Sequence, residues 1–429
     1  MQDHDRRPGL RLHHAWIVLA VTFLTLLVAA ATRATPGVLI VPLEREFGWT
    51  RATISSAIAV NLVLYGLMGP FSAALVEYLG ARRTMISALL LVSCGVALTT
   101  FMRAPWQLIL LWGVVVGSGT GMMALALGAT VVNRWFTERR GLAMGILTAS
   151  SATGQLVFLP LLAAVVESHG WQSVTLLVAG IGLLTIPAIA LLMRNHPSDV
   201  GTNRYGEPGL AQAPHRAARN PAMAAIAMLF EVGRRLDFWF LFVTFFICGL
   251  STNGLIGTHF IPLCMDHGIP EIRAAGLLAV VGVFDFIGTL ASGWLTDRYS
   301  SRALLFWYYG LRGLSLLFLP YAFDVSFFGL SIFAVFYGLD WVATVPPTVR
   351  LTADVFGREK SGLVFGWIFA GHQLGAATAS LGAGVIRTDL GNYLLAFLIA
   401  GGFCLLAAIM VLGIGRAPNA GSLSMSTAK

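Results

Sequence analysis

Charge is what this sequence has least of. Only 11% of its 429 residues are Asp, Glu, Lys or Arg, against 57% apolar, and the mean hydropathy is +0.77. A soluble domain carries roughly 25% charged residues. A chain this long with so few cannot cover a water-facing surface, which argues against a soluble enzyme. Lysine is nearly missing, with Lys360 and Lys429 standing beside 26 arginines. Cysteine is scarce too. Cys94, Cys248, Cys264 and Cys404 stand singly, without CxxC or Cys/His spacing, so neither a disulfide framework nor a zinc site is expected. No nucleophile–base constellation or phosphate-cradling loop occurs, and Gly117-x-Gly119-x-Gly121 lies in an apolar run without the strand a dinucleotide site needs. No catalysis, cofactor or metal is expected.

Long apolar runs are what it has instead. Crossing a bilayer as a helix takes about 20 apolar residues. Twelve such stretches are predicted, near 15–41, 53–76, 84–102, 106–131, 141–166, 171–193, 237–262, 274–295, 302–320, 326–349, 361–386 and 392–415. The expected fold is an all-α membrane protein with twelve transmembrane helices. The polar stretch 1–14 precedes a run too long for a signal peptide, so the first helix is read as uncleaved. Most connections are short, but 194–236 is long and holds Pro197, Pro208, Pro214 and Pro221. It divides the chain into an N-terminal six-helix half (1–193), a cytoplasmic linker (194–236), a C-terminal six-helix half (237–415) and a cytoplasmic tail (416–429).

The net charge of +8 is distributed unevenly. With these boundaries, 21 basic residues fall on the side of the N-terminus and five (Arg45, Arg51, Arg103, Arg273, Arg387) on the other. By the positive-inside rule both termini are expected in the cytoplasm, and the partner implied by the charge is the lipid bilayer, not nucleic acid.

The chain also repeats itself. Leu75-Val-Glu77-Tyr78-Leu-Gly-Ala-Arg82 matches Leu295-Thr-Asp297-Arg298-Tyr-Ser-Ser-Arg302 at an offset of 220, and the glycines of Gly141-Leu-Ala-Met-Gly145 match those of Gly362-Leu-Val-Phe-Gly366 at 221. Two landmarks at nearly one offset imply two pseudo-symmetric six-helix halves, an arrangement associated with alternating access to a midplane site. In the loops, the acids Glu77 and Asp297 can pair with Arg82, Arg298 and Arg302, either as gates that latch one state or as static surface pairs.

On these residues the sequence resembles the major facilitator superfamily over nearly its whole length. Gly293-x-Leu295-x-Asp297-Arg298-x-x-x-Arg302 is similar to that family's cytoplasmic loop motif, while the first-half copy departs from it at Glu77 and Tyr78. Pro42-Leu43-Glu-Arg-Glu46-Phe-Gly48-Trp49-Thr-Arg51-Ala-Thr-Ile-Ser55 and Trp135-Phe136-x-x-Arg139-Arg140-Gly141-Leu142-Ala143-x-Gly145 resemble the monocarboxylate and oxalate/formate branch. The resemblance implies helices one, four, seven and ten around a central cavity. It also implies a carrier of small organic anions that is proton-coupled or exchanging, working as a functional monomer in the cell inner membrane.

Ionisable groups inside spans cost at least about 2.5–3.5 kcal/mol each, so each needs a partner or a task. Arg33, between small residues and Pro36, either holds a substrate carboxylate, pairs with an acid or snorkels outward. Asp285 is a candidate proton carrier or a permanent partner for arginine. Where the resembled carriers place an arginine one turn later, this chain has Thr289. Asp340 and Trp341, before Pro346-Pro347, form a candidate cavity wall, with Asp340 also able to carry a proton or pair with an arginine. Arg312 is read as a structural ion-pair partner of Asp285 or Asp340. His372 can take a proton, touch an anion, or sit hydrogen-bonded in the core. Asn61, Tyr65, His259, Asn133, Gln155 and Asn253 are weaker candidates for polar lining, each more often interhelical glue. The expected function is transport of small organic anions. The alternative is a proton-driven exporter of amphipathic compounds, with Asp285 and Asp340 facing its substrate.

Overall fold

A computed structural model describes residues 13–153, 157–207, 221–323 and 327–415. Among the described residues ten helices are long and apolar enough to cross a membrane: His14–Phe47, Arg51–Ser72, Ala81–Thr99, Pro105–Trp135, Trp171–Leu192, Leu236–Asp266, Glu271–Thr296, Ser301–Ala322, Gly329–Phe356 and Leu394–Gly413. The other two expected spans are present in a different form. The fifth is described as Arg140–Thr153 and Leu159–His169, on either side of residues 154–156. The eleventh, Arg358–Leu390, is a single long helix diluted by glycines and by the polar pair His372-Gln373. They are called spans one to twelve below. A separate helix, Pro221–Val232, lies in the linker between spans six and seven.

Helix is the only element that lets a chain satisfy its own backbone in lipid, and the sequence helps locally. In span one Thr22, Thr25, Thr32 and Thr35 each donate to the carbonyl four residues back, so hydroxyls are buried without loss. Turns are closed where a side chain would be strained: Gly48 and Gly391, at φ 67° and 72°, take the left-handed position that ends spans one and eleven. Thr50 then caps span two by accepting from the Thr53 amide. Large apolar side chains such as Leu184, Leu191, Trp307 and Leu314 remain more than half or nearly half exposed around the outside. That is the pattern of a surface facing acyl chains rather than water.

Two spans break at matched places. Span four is interrupted at Met123–Ala124 and span ten between Asp340 and Val345. Ala124 and Thr344 are 220 residues apart, the same offset as the loop motifs, so the repeat is carried by backbone irregularities as well as by sequence. Glycine stripes set the packing. A side chain at Gly113, Gly117 or Gly121 would meet Val60, the Asn61 backbone or Met68 of span two at 3.0 Å or less. Across the two halves span two lies along span eleven, span five along span eight, and span one along the second part of span seven.

Candidate functional site

The break in span ten is held by its neighbours. Pro346 and Pro347 have no N–H to return to the preceding turn, so carbonyls are freed in front of them. Arg312 of span nine donates through Nη2 to the carbonyls of Asp340 and, at 3.1 Å, Trp341. Ser292 of span eight donates to the Ala343 carbonyl at 2.5 Å. The freed Val342 amide donates to Asp285 Oδ1 at 2.9 Å, and Thr289 donates to the same oxygen at 3.1 Å. Thr289, which occupies the place of an expected arginine, therefore serves Asp285 as a donor. Asp285 acts here as a cap on a broken helix, a third role beside the proton carrier and ion-pair partner expected from sequence.

Arg312 is 1% exposed and also pairs with the Asp340 carboxylate, Nε to Oδ2, at 2.6 Å. Its Nη1 reaches the Cys248 sulfur at 3.0 Å, and that sulfur lies 3.3 Å from Thr344 Oγ1. A guanidinium at such depth is tolerable because its charge is matched and its donors are occupied. Between the two acids the expectation left open for Arg312, the carboxylate it pairs with is Asp340.

A line of contacts leads from this cluster to the other half. His372 lies beside the Cys248 thiol, packs on Phe245 at 4.9 Å and stacks on Phe369 at 5.8 Å. Phe369 meets Tyr65 edge-on at 6.0 Å. Arg33 donates to the Tyr65 hydroxyl at 3.0 Å and stands 5.1 Å over its ring. The structure thus brings Arg33, Tyr65, His372, Arg312 and Asp340 onto one path through spans one, two, eleven, nine and ten. Two polar atoms on it, Asp340 Oδ1 and His372 Nδ1, are buried without a hydrogen-bond partner among the described residues. Trp341, 4% exposed, packs against Tyr337 and faces Gly257 of span seven as part of the wall.

Asn61 stands apart from that path. Its amide donates to the Trp112 carbonyl at 2.8 Å, tying span two to span four inside one half. Asn61→Ala is expected to lower stability by no more than about 1 kcal/mol and to leave the apparent KM for substrate unchanged, read from detergent melting beside liposome uptake.

On the arginine-poor face a cluster that sequence reasoning did not assemble joins the halves. Arg51, at the start of span two, grips Asp266 at the end of span seven bidentately, with 2.7 and 2.6 Å bonds. Arg387 of span eleven holds the same carboxylate at 2.8 and 3.3 Å. Glu44 accepts from Arg51 Nε at 3.0 Å, and Tyr393 accepts from its Nη1 at 3.0 Å. His259 Nε2 lies 2.7 Å from the Ser380 carbonyl and so donates to it, leaving Nδ1 to accept from Tyr393 at 3.1 Å. Close by, Gly37 of span one nears the Gly257 carbonyl, and a side chain there would come within 3.3 Å. A small apolar gap of about 20 Å³ beneath this face, walled by Leu39, Ile58, Met102 and Trp112, has no charged lining and offers nothing to an anion.

The second-half loop residues at the arginine-rich face do not form the acid–arginine pairing expected within their motif. Asp297 pairs with Arg350 of span ten at 3.8 Å, not with Arg298 or Arg302. Arg298 lies 4.0 Å over the Trp294 ring, and Arg302 donates to the Ile414 carbonyl at 3.0 Å. The Arg82 amide donates to Asn195 at the start of the linker. The Glu77 and Gln155 side chains lie outside the described residues. The physical reason is geometric: Arg298 follows Asp297 on a turn that points it back along span eight, whereas Arg350 comes down beside it from span ten.

The sequence profile of the Major Facilitator Superfamily matches residues 22–349 and 277–426. The chain belongs to that superfamily. It is a multi-pass membrane transporter and not an enzyme. It is similar to monocarboxylate transporter 13 of Rattus norvegicus, 27% identical over 395 residues, covering 91% of this chain and 86% of the relative. It is also similar to the MFS-type transporter YcxA of Bacillus subtilis, 24% identical over 408 residues, covering 92% and 94%. Among solved structures, a D-xylose–proton symporter superposes with a TM-score of 0.72 at 14% identity, covering 92% of this chain and 97% of that one. A bacterial homologue of the lysosomal transporter Spinster, inward-facing and occupied, gives 0.71 at 17% identity, covering 95% and 98%. These superpositions establish the twelve-span fold in two pseudo-symmetric halves.

Within this transporter the missed residues had a signal. Arg51 and Arg387 belong to the five basic residues on the charge-poor side, where positive charge runs against topology and so calls for a partner. Nothing in the sequence, however, brings Asp266 to within 3 Å of a residue 215 positions away.

Proposed function

We propose that this transporter carries small organic anions, monocarboxylates in particular, across the cytoplasmic membrane by alternating access, driven by proton coupling or anion exchange. The arginine-rich face is cytoplasmic and holds both termini, the linker 194–236 and the tail 416–429, with the halves at 1–193 and 237–415. A closed arginine-poor face is what the inward-facing and occluded states of such a cycle share.

The observation that carries this reading is the difference in depth and position between the two intramembrane arginines. Arg312 is sealed inside the second half and its charge is matched by Asp340. Arg33 is only half-buried, reaches the phenol of Tyr65 and stands at the seam between the halves. A guanidinium next to a phenolic hydroxyl is a pair of groups suited to a carboxylate, the one as a charged fork and the other as an O–H donor. On the other side of Tyr65 lie the unfilled His372 Nδ1 and Asp340 Oδ1, which can accept a proton as an anion arrives and so keep the interior neutral. Similarity to named monocarboxylate transporters supports the substrate class.

The test is uptake of radiolabelled lactate and pyruvate into proteoliposomes with acid outside. Accumulation above equilibrium is expected, and Arg33→Ala is expected to reduce it at least tenfold, with Arg33→Lys recovering little because an ammonium cannot hold a carboxylate bidentately. Full carboxylate uptake by Arg33→Ala would remove Arg33 from the site. Absence of carboxylate flux in the wild type, with flux of amphipathic cations instead, would overturn the substrate class.

A further inference from the structure

The linker helix Pro221–Val232 reads Pro-Ala-Met-Ala-Ala-Ile-Ala-Met-Leu-Phe-Glu-Val, apolar on every face except at Glu231. A helix of that composition must be covered all round. Protein covers one side. Ala225 and Val232 are buried, the helix rests on spans two and eleven, and Trp367 Nε1 donates to the Ala225 carbonyl at 2.8 Å. The other side is exposed: Met223 by 61%, Ile226 by 38% and Phe230 by 72%, with exposed Ala227 completing an i, i+3, i+4, i+7 stripe.

Two observations identify what lies against that stripe. The first is continuity with the lipid-facing surface. Leu236 and Trp239 open span seven at 67% and 47% exposure, and Trp239 Nε1 donates to the Gly233 carbonyl at 2.8 Å. An indole at the start of a span sits at headgroup level, and this one is tied to the end of the linker helix. The second is charge. The single acid of the helix, Glu231, is matched by Lys360 at 2.5 Å. Arg234 is exposed just beyond it, and Arg216 and Arg219 precede the helix in sequence.

We infer that Pro221–Val232 lies in the plane of the membrane interface, with Met223, Ile226, Ala227 and Phe230 at the acyl boundary and Arg234 on anionic phospholipid headgroups. The helix touches one span of each half, so the lipid it binds bears on both halves at once. This goes beyond the transport reading and does not depend on it.

The experiment places a nitroxide at Ala227→Cys in a Cys94→Ala background, with Ser198→Cys as a water-facing control, in the full chain reconstituted in liposomes. Relaxation by oxygen and by a nickel chelate gives the depth. In phosphatidylcholine with 30 mol% phosphatidylglycerol (about a third anionic), the label at 227 is expected about 5–10 Å below the headgroup level. It is expected to rise towards the control in phosphatidylcholine alone, and in Ile226→Glu/Phe230→Glu. Chelate access equal to that of Ser198→Cys would overturn the inference. So would a depth identical in both lipid compositions, which removes the anionic headgroup, and so would dipolar broadening between labels, which assigns the face to a second copy of the chain.

Discussion

Arg312→Ala is expected to cost about 3–5 kcal/mol of stability, because it leaves the Asp340 carboxylate buried without its counter-charge. Asp340 is 7% exposed and its second oxygen has no donor among the described residues, so local rearrangement offers little relief. The same side chain also staples the carbonyls of Asp340 and Trp341 where span ten breaks. Two effects are therefore lost together, and a second variant separates them. In Arg312→Met/Asp340→Asn both charges disappear. The electrostatic part should be recovered, while the carbonyl bonds, about 0.5–1.5 kcal/mol each, stay lost. Thermal unfolding in detergent, with the wild type and both variants side by side, reads the difference. A melting curve for Arg312→Ala that overlays the wild type would mean that the pair contributes nothing, and the account of the break would fail with it.

Removing Asp266 should move the protein between states rather than unfold it. Asp266→Ala leaves Arg51 and Arg387 facing one another across the seam with no carboxylate between them. Charge-assisted bonds are worth about 1.5–3 kcal/mol each. The Asp266 side chain is 20% exposed, so screening trims that value. A net shift near 1.4 kcal/mol, or about tenfold in the ratio of closed to open arginine-poor face, is a conservative expectation. Spin labels at Thr50→Cys and Asp389→Cys, exposed positions in opposite halves, report the gap by dipolar spectroscopy. The long-distance population should grow about tenfold in Asp266→Ala and stay near wild type in Asp266→Glu. High salt should move the wild type in the same direction. An unchanged distance distribution in the alanine variant would show that the cluster follows closure without holding it.

The two clusters were unequally visible beforehand. Arg312 and Asp340 could be singled out because a charge inside an apolar run is conspicuous and costly enough to call for a partner or a task. Which acid could not be read, since Asp285 and Asp340 were equivalent until the break in span ten chose between them. Asp285 went to the freed Val342 amide and Asp340 to the guanidinium. Arg51 is conspicuous only as a cation on the charge-poor side, and Asp266 not at all, because an acid at a span end is ordinary. Asn61, polar and within a span, was noticed as possible lining, yet a single bond to Trp112 uses it for packing. Polarity in a span marks a residue as costly without saying what offsets the cost.

What the sequence determined by itself is the solvent and the plan. Scarcity of charge forces a membrane, the length of the apolar runs forces spanning helices, arginine asymmetry gives their expected orientation, and an offset of 220 residues doubles six into twelve. These follow from local composition and period, which need no knowledge of neighbours. Tertiary structure decided the pairings: Asp340 with Arg312, Asp266 with Arg51 and Arg387, Tyr65 between Arg33 and Phe369, and the linker helix across spans two and eleven. The reason is that in lipid every helix is satisfied internally along its backbone, so the few polar side chains choose partners by the rotation and depth of whole helices. Those are set by glycine contacts and breaks distributed over the entire chain.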